Sequence, residues 1–213
     1  MGSRRFSPLA GLQERIRLSQ KYPSLVLLTL SAAHFVDDGL GRGISVLMPS
    51  LQSEFNLTYL QVGLIGSVRS VTSALGNPLL GFAADKSGKR KLAMLLGVLG
   101  FFAGFAALGA AGNFIQMLMF ICLANIAACV YHPQAISFLN FNFKEGIHKA
   151  IGIHGALGAV GLVVSPMALS YASNLLGWRL APIVVFTPMI IITLILFILI
   201  LKDPEKSLSL IHI

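Results

Sequence analysis

Long apolar stretches alternate with short polar connections along most of this chain. Six of these stretches are near the roughly 20 residues that a helix needs to cross a hydrocarbon core about 30 Å thick. They cover residues 24–48, 58–84, 92–111, 113–139, 150–175 and 180–201. The pattern therefore predicts an all-α integral membrane protein, in which six transmembrane helices form one bundle.

The composition agrees with a membrane protein and excludes most soluble functions. Hydrophobic residues make up 55% of the chain and charged residues only 11%, which is far from the balance of a soluble domain. A net charge of +8 could indicate nucleic acid binding, but the basic residues are interleaved with apolar spans. We therefore expect a lipid bilayer around the protein, no nucleic acid partner, no enzymatic activity and no cofactor.

The positions of the cations predict the topology. All but three of the 16 Lys and Arg residues lie in an amino-terminal arm, in the second-to-third and fourth-to-fifth connections, and in the tail. Cytoplasmic loops of membrane proteins carry an excess of Lys and Arg. We therefore predict a multi-pass protein of the plasma (inner) membrane with both termini cytoplasmic. Its predicted parts are a cytoplasmic basic arm (1–22), the bundle (23–202) and the start of a cytoplasmic linker (203–207).

The connection between the second and third spans has a distinctive pattern, G-F-A-A-D-K-S-G-K-R-K. Its characteristic positions are Gly81, Asp85, Lys86, Gly88, Lys89, Arg90 and Lys91. This run resembles the loop between helices two and three in the major facilitator superfamily of secondary transporters. In that family the aspartate pairs across the cytoplasmic surface in the outward-open state, so the resemblance implies a gating role for Asp85.

The same resemblance implies a particular architecture and a missing partner. The chain is expected to be the amino-terminal half of a twelve-helix fold, with spans one to three and four to six as inverted repeats. The expected partner is a carboxy-terminal six-helix half or a second copy of this chain. Residues 208–213 look like the translated end of a sequencing library, so we expect an amino-terminal fragment and exclude these residues from fold reasoning.

The fifth span partly resembles the helix-five motif of antiporters in that family. The positions concerned are Gly152, Gly161, Ser165 and Pro166. Ser165 stands where the motif has a glycine, so antiport is suggested and not secured. Without the family, the glycines of this span are a stripe of small residues that lets helices pack closely.

Two shorter runs resemble the fosmidomycin-resistance group within the superfamily. They are His34-Phe35-Val36-Asp37-Asp38 in the first span and Tyr131-His132-Pro133 in the fourth. That group exports small molecules in exchange for protons. The resemblance therefore implies export of a small solute coupled to protons.

Polar and ionisable side chains within the spans are candidates for function, because charged groups in a bilayer are costly and usually face a cavity. The candidates for proton coupling and solute binding are His34, Asp37, Asp38, Arg42, Arg69, Asn125 and His132. Spans three and six carry no ionisable residue, so we expect these two to face lipid while the other four line a cavity. The helix rise places Asp38 about 21 Å and Arg69 about 24 Å from the inner ends of their spans. One interpretation is therefore mutual neutralisation, by the pairs Asp38–Arg42 and Asp37–Arg69.

The functional interpretation is that one carboxylate or His34 exchanges a proton, which frees an arginine to bind an anionic group. It predicts secondary active transport of a small solute, as proton-coupled efflux of a drug-like or anionic molecule. Proton-coupled uptake of an organic anion or sugar is the alternative within transport. A channel or an intramembrane metal-binding protein is the alternative from another class of function. A metal site built from His34, Asp38, His132 and His154 is not expected, because the spacing fits no metal motif and the depths differ. His154 is interpreted as a packing residue.

Overall fold

Seven α-helical segments make up nearly all of the part of the chain that the structure describes. The computed structural model describes residues 23–143 and 145–201, and no strand occurs in these ranges. The segments are α1 (Pro23–Phe55), α2 (Tyr59–Ser87), α3 (Arg90–Ala107), α4a (Phe114–Ala128), α4b (Tyr131–Asn142), α5 (Ile147–Leu176) and α6 (Ala181–Leu201). Together α4a and α4b form the fourth helix, so the predicted all-α six-helix bundle is confirmed. The predicted arm, linker and terminal hexapeptide lie outside the described residues.

Four of the six helices are long and apolar enough to cross a membrane by length and composition. They are α3 with the turn that follows it (Arg90–Ala110), α4a with α4b (Phe114–Asn142), α5 and α6. The helices α1 and α2 have 33 and 29 residues, which at about 1.5 Å per residue also exceeds a core about 30 Å thick. Charged residues within them, such as Asp37, Asp38 and Arg69, lower their mean hydropathy.

The helix α1 lies at the centre of the bundle. It packs most extensively against α5 and also contacts α6, α3 and α4b. Leu30, Leu40 and Leu47 on α1 are fully buried. The contact with α5 depends on Gly161, because a Cβ there would meet the backbone of Phe35. The close packing expected from small residues therefore occurs at Gly161, and it brings the polar side chains of α1 against α5.

Local sequence fixes both ends of α2. The Thr58 hydroxyl accepts from the backbone N–H of Gln61, and the Gln61 side chain accepts from the backbone N–H of Thr58, which is a capping box. After the last helical residue, Gly88 has a φ of 67°, a left-handed conformation that glycine adopts without strain. The chain therefore reverses into α3 at Gly88.

The fourth helix is interrupted at Cys129 and Val130, between α4a and α4b. Pro133 lies four residues after Cys129 and has no N–H to donate to the Cys129 carbonyl, which explains the break. The Tyr131 hydroxyl, at the start of α4b, donates to the carbonyl of Leu30 on α1. The break and this hydrogen bond together place the first turn of α4b, which contains His132, next to α1.

Lys91 connects the start of α3 to the end of α6. Its ammonium group donates to the carbonyl of Ile200 at 2.8 Å, and the residue is buried. The last carbonyls of a helix have no partner within the helix, so a cation there satisfies one of them. The sequence predicts Lys91 as a cytoplasmic residue of the gating motif, and the structure also gives it a role in packing.

Candidate functional site

Two close contacts between carboxyl groups and histidines lie in the centre of the bundle. His132 Nε2 on α4b is 2.9 Å from Asp37 Oδ2, and His34 Nε2 is 3.2 Å from Asp38 Oδ2, one turn away on α1. His132 Nε2 also lies 3.8 Å from Asp38 Oδ1, so it faces both carboxylates. Asp37 is buried, and its Oδ1 has no partner among the described residues. The four side chains, His34, Asp37, Asp38 and His132, therefore form one acid–base cluster.

The arginines do not neutralise these carboxylates. Within residues 23–143 and 145–201, the ion pairs of Asp37 and Asp38 are all with histidines. The Arg69 guanidinium instead donates to the carbonyl of Gly41 at 2.8 Å. The expected pairs Asp38–Arg42 and Asp37–Arg69 are therefore wrong. Instead, His34, which the carbonyl of His154 holds against α5, contacts Asp38, while the break between α4a and α4b brings a second histidine, His132, to Asp37.

The side chain of His34, on α1, is held against α5. Its Nδ1 is 3.0 Å from the carbonyl oxygen of His154, which can only accept, so Nδ1 carries a proton. The His154 ring stacks on the His34 ring with a centroid separation of 4.2 Å and an interplanar angle of 22°. His154 is buried, and its Nδ1 has no partner in the described part of the chain. Interpreting His154 as a packing residue agrees with its burial but omits these contacts with His34.

Sequence reasoning set aside a metal site partly because the candidate side chains were expected at different depths. That expectation is wrong for three of these side chains. Each of His34, Asp38 and His132 has a nitrogen or oxygen atom that lies within 4.8 Å of the corresponding atoms of the other two. The ring of His154 is also in contact with this group. The hydrogen bonds and ion pairs given above account for the short distances, and we assign no ion here.

A cavity of about 330 Å³ lies beside the acid–base cluster. Six of the seven residues predicted for proton coupling and solute binding line it: Asp37, Asp38, Arg42, Arg69, Asn125 and His132. The seventh, His34, is not part of the lining but contacts Asp38. The walls come from α1, α2, α4a, α4b and α5, with Phe101 contributed by α3. The expectation that the third helix faces only lipid is therefore wrong at Phe101.

Arg69 is held in the cavity wall by polar groups of neighbouring helices. Asn125 on α4a donates to the Arg69 carbonyl and to the Ser73 hydroxyl, both at 3.0 Å. Among the described residues, neither Arg69 nor Arg42 has a carboxylate partner. A guanidinium group presents several N–H donors in a planar fork that fits a carboxylate or phosphonate. This wall can therefore bind an anionic group.

The run from Gly81 to Lys91 covers the end of α2, the connection at Gly88 and Lys89, and the start of α3, and it contacts α4b. Asp85 Oδ1 accepts from Arg90 Nε at 2.8 Å, so its partner in this structure belongs to the same turn. Gly81 packs against Pro133, and its carbonyl accepts from Gln134 Nε2 at 2.9 Å. The remaining positions of the motif, Lys86, Gly88 and Lys89, are exposed. At Gly81, α2 is therefore in contact with side chains of α4b.

The positions of the helix-five motif have different surroundings. Gly161 packs on the backbone of Phe35, and Ser165 is buried against Gly39, where any added Cβ would meet its hydroxyl. A Cβ at Gly152 would meet nothing within 4 Å. Pro166 lies inside α5. Among the four positions of the motif, only Gly161 and Ser165 therefore lie in the close contact between α1 and α5.

A second polar group, which sequence reasoning missed, lies at the carboxyl end of α1. The helix continues past residue 48, the predicted end of the first span, and Glu54 accepts from the Trp178 indole and from the Arg179 guanidinium. These two hydrogen bonds, that from Trp178 foremost, lower the pKa of Glu54. Nothing in the sequence around Trp178 and Arg179 indicates that their partner, Glu54, lies more than a hundred residues earlier.

Known transporters have related sequences. The chain is 30% identical over 110 residues to the Fosmidomycin resistance protein of Escherichia coli (strain K12), covering 52% of this chain and 27% of that protein. It is 29% identical over 145 residues to the Puromycin resistance protein pur8 of Streptomyces alboniger, covering 65% and 28%. It is 27% identical over 168 residues to the Probable L-galactonate transporter of Escherichia coli (strain K12), covering 78% and 36%. The matches thus span 27% to 36% of the length of these relatives.

A solved structure shares the fold. It is the crystal structure of a bacterial homolog to the human lysosomal transporter Spinster, in an inward-facing and unoccupied conformation. The TM-score is 0.74 at 24% sequence identity, covering 88% of this chain and 45% of that one. The sequence profile of the Major Facilitator Superfamily matches residues 30–211, which include most of the described helices. This chain therefore belongs to the Major Facilitator Superfamily, whose members are membrane transporters of small solutes.

Proposed function

We propose that this chain provides half of the pathway of a transporter that exports a small drug-like or anionic solute in exchange for protons. Protons bind at the acid–base cluster, and the solute binds at the cavity wall formed by Arg42, Arg69 and Asn125. Solute groups that donate hydrogen bonds to ionised Asp38 compete with its proton. Such competition is the requirement for exchange.

The observation that carries the proposal is the placement of two kinds of charge around one cavity. Two carboxylates are paired with histidines, which can gain or lose protons near neutral pH. Two arginines a short distance away have no carboxylate partner among the described residues and remain available to an anion. An intramembrane group of this kind marks a substrate or proton pathway more often than a structural contact.

The relatives support export. Two of the matched proteins are named as resistance proteins, and a third match is named a Tetracenomycin C resistance and export protein. We further propose that both termini are cytoplasmic and that the protein lies in the inner membrane, as the distribution of Lys and Arg predicts. A second six-helix half or a second copy of this chain completes the pathway, because alternating access needs two halves that move against each other.

Transport into everted membrane vesicles with an imposed proton gradient tests this function. A set of radiolabelled small carboxylates and phosphonates serves as the solutes, with one drug from each resistance class. We expect gradient-driven accumulation of at least one solute, its loss in Asp38→Asn, and a decrease of about tenfold or more in apparent affinity in Arg69→Gln. His148→Gln is the matched control, because His148 is exposed and lies outside the cavity. Gradient-independent transport by the wild-type protein would overturn the proposal.

Proton-coupled uptake of an organic anion is the second candidate, and one observation favours it. The carboxylates and arginines share a cavity, so protonation of Asp38 would strengthen binding of an anion instead of weakening it. One relative is named as a probable transporter of L-galactonate, a carboxylate. Right-side-out vesicles distinguish the two candidates, since uptake requires solute and proton to enter together. Single-channel currents in planar bilayers would instead favour a channel.

A further inference from the structure

Both ring nitrogens of His34 face oxygen atoms that accept hydrogen bonds. Nδ1 is 3.0 Å from the carbonyl oxygen of His154, and Nε2 is 3.2 Å from Asp38 Oδ2. A carbonyl oxygen and an ionised carboxylate both lack a proton to donate, and a neutral imidazole has a single N–H. A neutral His34 beside an ionised Asp38 could satisfy only one of these contacts. The geometry therefore requires one more proton on this pair of side chains.

We propose that His34 and Asp38 share one proton, held along the line from His34 Nε2 to Asp38 Oδ2. The inference deepens the proposed function, because it names the position of the coupled proton. Asp38 is half-buried and lines the cavity, so the shared proton lies one side chain away from the solute space.

The surrounding titratable groups are consistent with this placement. His132 faces Asp37 at 2.9 Å, so any charge it carries is balanced by a carboxylate of its own. His154 stacks on His34 at 4.2 Å, where a second cation would be repelled, and its buried Nδ1 has no partner in the described ranges. The titratable groups around His34 are Asp37 and Asp38 on α1, Tyr131 and His132 on α4b, and His154 on α5. No titratable residue occurs on α6, those of α3 lie in its first turn, and Arg69 of α2 faces the cavity.

Loss of the shared proton would change the packing of two helices. The lone pair of Nε2 would then point at a carboxylate, so the pair must separate or His34 must give up its bond to the His154 carbonyl. That bond joins α1 to α5 at the point where Gly158 gives His34 room. A Cβ at Gly158 would stand 2.6 Å from His34 Cε1 and 2.7 Å from Asp38 Oδ2. Protonation therefore favours the closely packed arrangement of α1 and α5.

Nitrogen NMR of the ¹⁵N-histidine-labelled protein in lipid nanodiscs tests the shared proton without any solute. The His34 signals are assigned by their loss in His34→Asn, whose amide can keep the bond to the His154 carbonyl. Near neutral pH we expect either a doubly protonated His34 or a neutral His34 with an infrared band of a protonated Asp38 carboxyl. In Asp38→Asn, which keeps the shape and removes the charge, His34 should be neutral with its proton on Nδ1.

Two results would overturn the inference. One is a neutral His34 beside an ionised Asp38 in the wild-type protein near neutral pH. The other is a His34 that stays doubly protonated in Asp38→Asn, since the carboxylate would then have no part in holding the proton. The proposed function fails independently: a shared proton in NMR combined with solute transport that ignores the proton gradient would contradict coupling and leave the shared proton standing.

Discussion

The imidazole of His132 joins α4b to α1 by an ion pair with Asp37, at 2.9 Å between Nε2 and Oδ2. The carboxylate is buried, with its side chain 5% exposed, whereas the imidazole is 44% exposed. The histidine therefore lies between a buried carboxyl group and the cavity. It is the shortest carboxylate–histidine contact in the described part of the chain.

Removing one member of this pair should destabilise the bundle more than removing both. His132→Ala leaves the Asp37 carboxyl group buried without its partner, and an unsatisfied buried polar group costs about 1–3 kcal/mol. In the double variant Asp37→Asn with His132→Ala the buried carboxyl group is absent, so we expect a coupling energy of about 0.5–3 kcal/mol. Unfolding in detergent, followed by circular dichroism, measures these values.

The matched control for this cycle is His148→Ala, because His148 is exposed at the start of α5. Its expected effect is within about 0.5 kcal/mol. Strictly additive effects of the Asp37 and His132 changes would show that the contact contributes nothing.

Two glycines of α5 should respond differently to the same substitution. In Gly161→Ala the new Cβ meets the backbone of Phe35 on α1, which cannot move without shifting the helix, so we expect a loss of about 1–3 kcal/mol. In Gly152→Ala nothing lies within 4 Å, and alanine has the higher helix propensity, so stability should be unchanged or higher. Thermal unfolding of both variants in detergent checks this, and equal effects would contradict the observed packing of α1 on α5.

The pKa of Glu54 predicts a pH dependence of stability. Its hydrogen bonds with Trp178 and Arg179 lower this pKa in the folded protein, so folding favours the ionised carboxylate. The stabilisation is therefore complete above the unfolded pKa of about 4.3 and is lost as the pH falls through the lower folded pKa. As the pH is lowered through this acidic range, we expect the melting temperature of Glu54→Gln to fall less than that of the wild type.

The fluorescence of Trp178 reports this change directly, because the chain has one tryptophan. Glu54→Gln retains an acceptor oxygen for the Trp178 indole but cannot ionise, which makes it the matched variant. The same acid-induced loss of stability in wild type and Glu54→Gln would assign it to other carboxylates.

Asp85 and Arg90 form an exposed ion pair, so their loss should affect transport more than stability. The side chains are 44% and 18% exposed, and pairs of this kind contribute about 0–1 kcal/mol. Arg90→Gln and Asp85→Asn remove the same pair, but only the second removes the carboxylate that the gating hypothesis requires. We expect at least a tenfold greater loss of transport in Asp85→Asn. Equal losses in vesicle assays would indicate that the pair matters only within its own turn.

The linear order of residues was sufficient to predict the class of protein, the number of helices and the family. Apolar runs of membrane-spanning length and the 81–91 pattern are local features, because a helix forms its backbone hydrogen bonds within itself. The turn at Gly88 and the cap at Thr58 are likewise determined by residues a few positions apart. The search for polar residues within apolar spans also identified six of the residues that line the cavity.

The partners of those residues were decided only by tertiary structure. His34 and Arg42 lie equally far along the chain from Asp38, and spacing alone cannot choose between them. The break in α4 ahead of Pro133 turns His132 towards Asp37, and glycines on α5 bring the His154 carbonyl to His34. These contacts depend on how three helices approach one another. That approach follows from packing of side chains and small-residue gaps across the whole bundle, which no local pattern specifies.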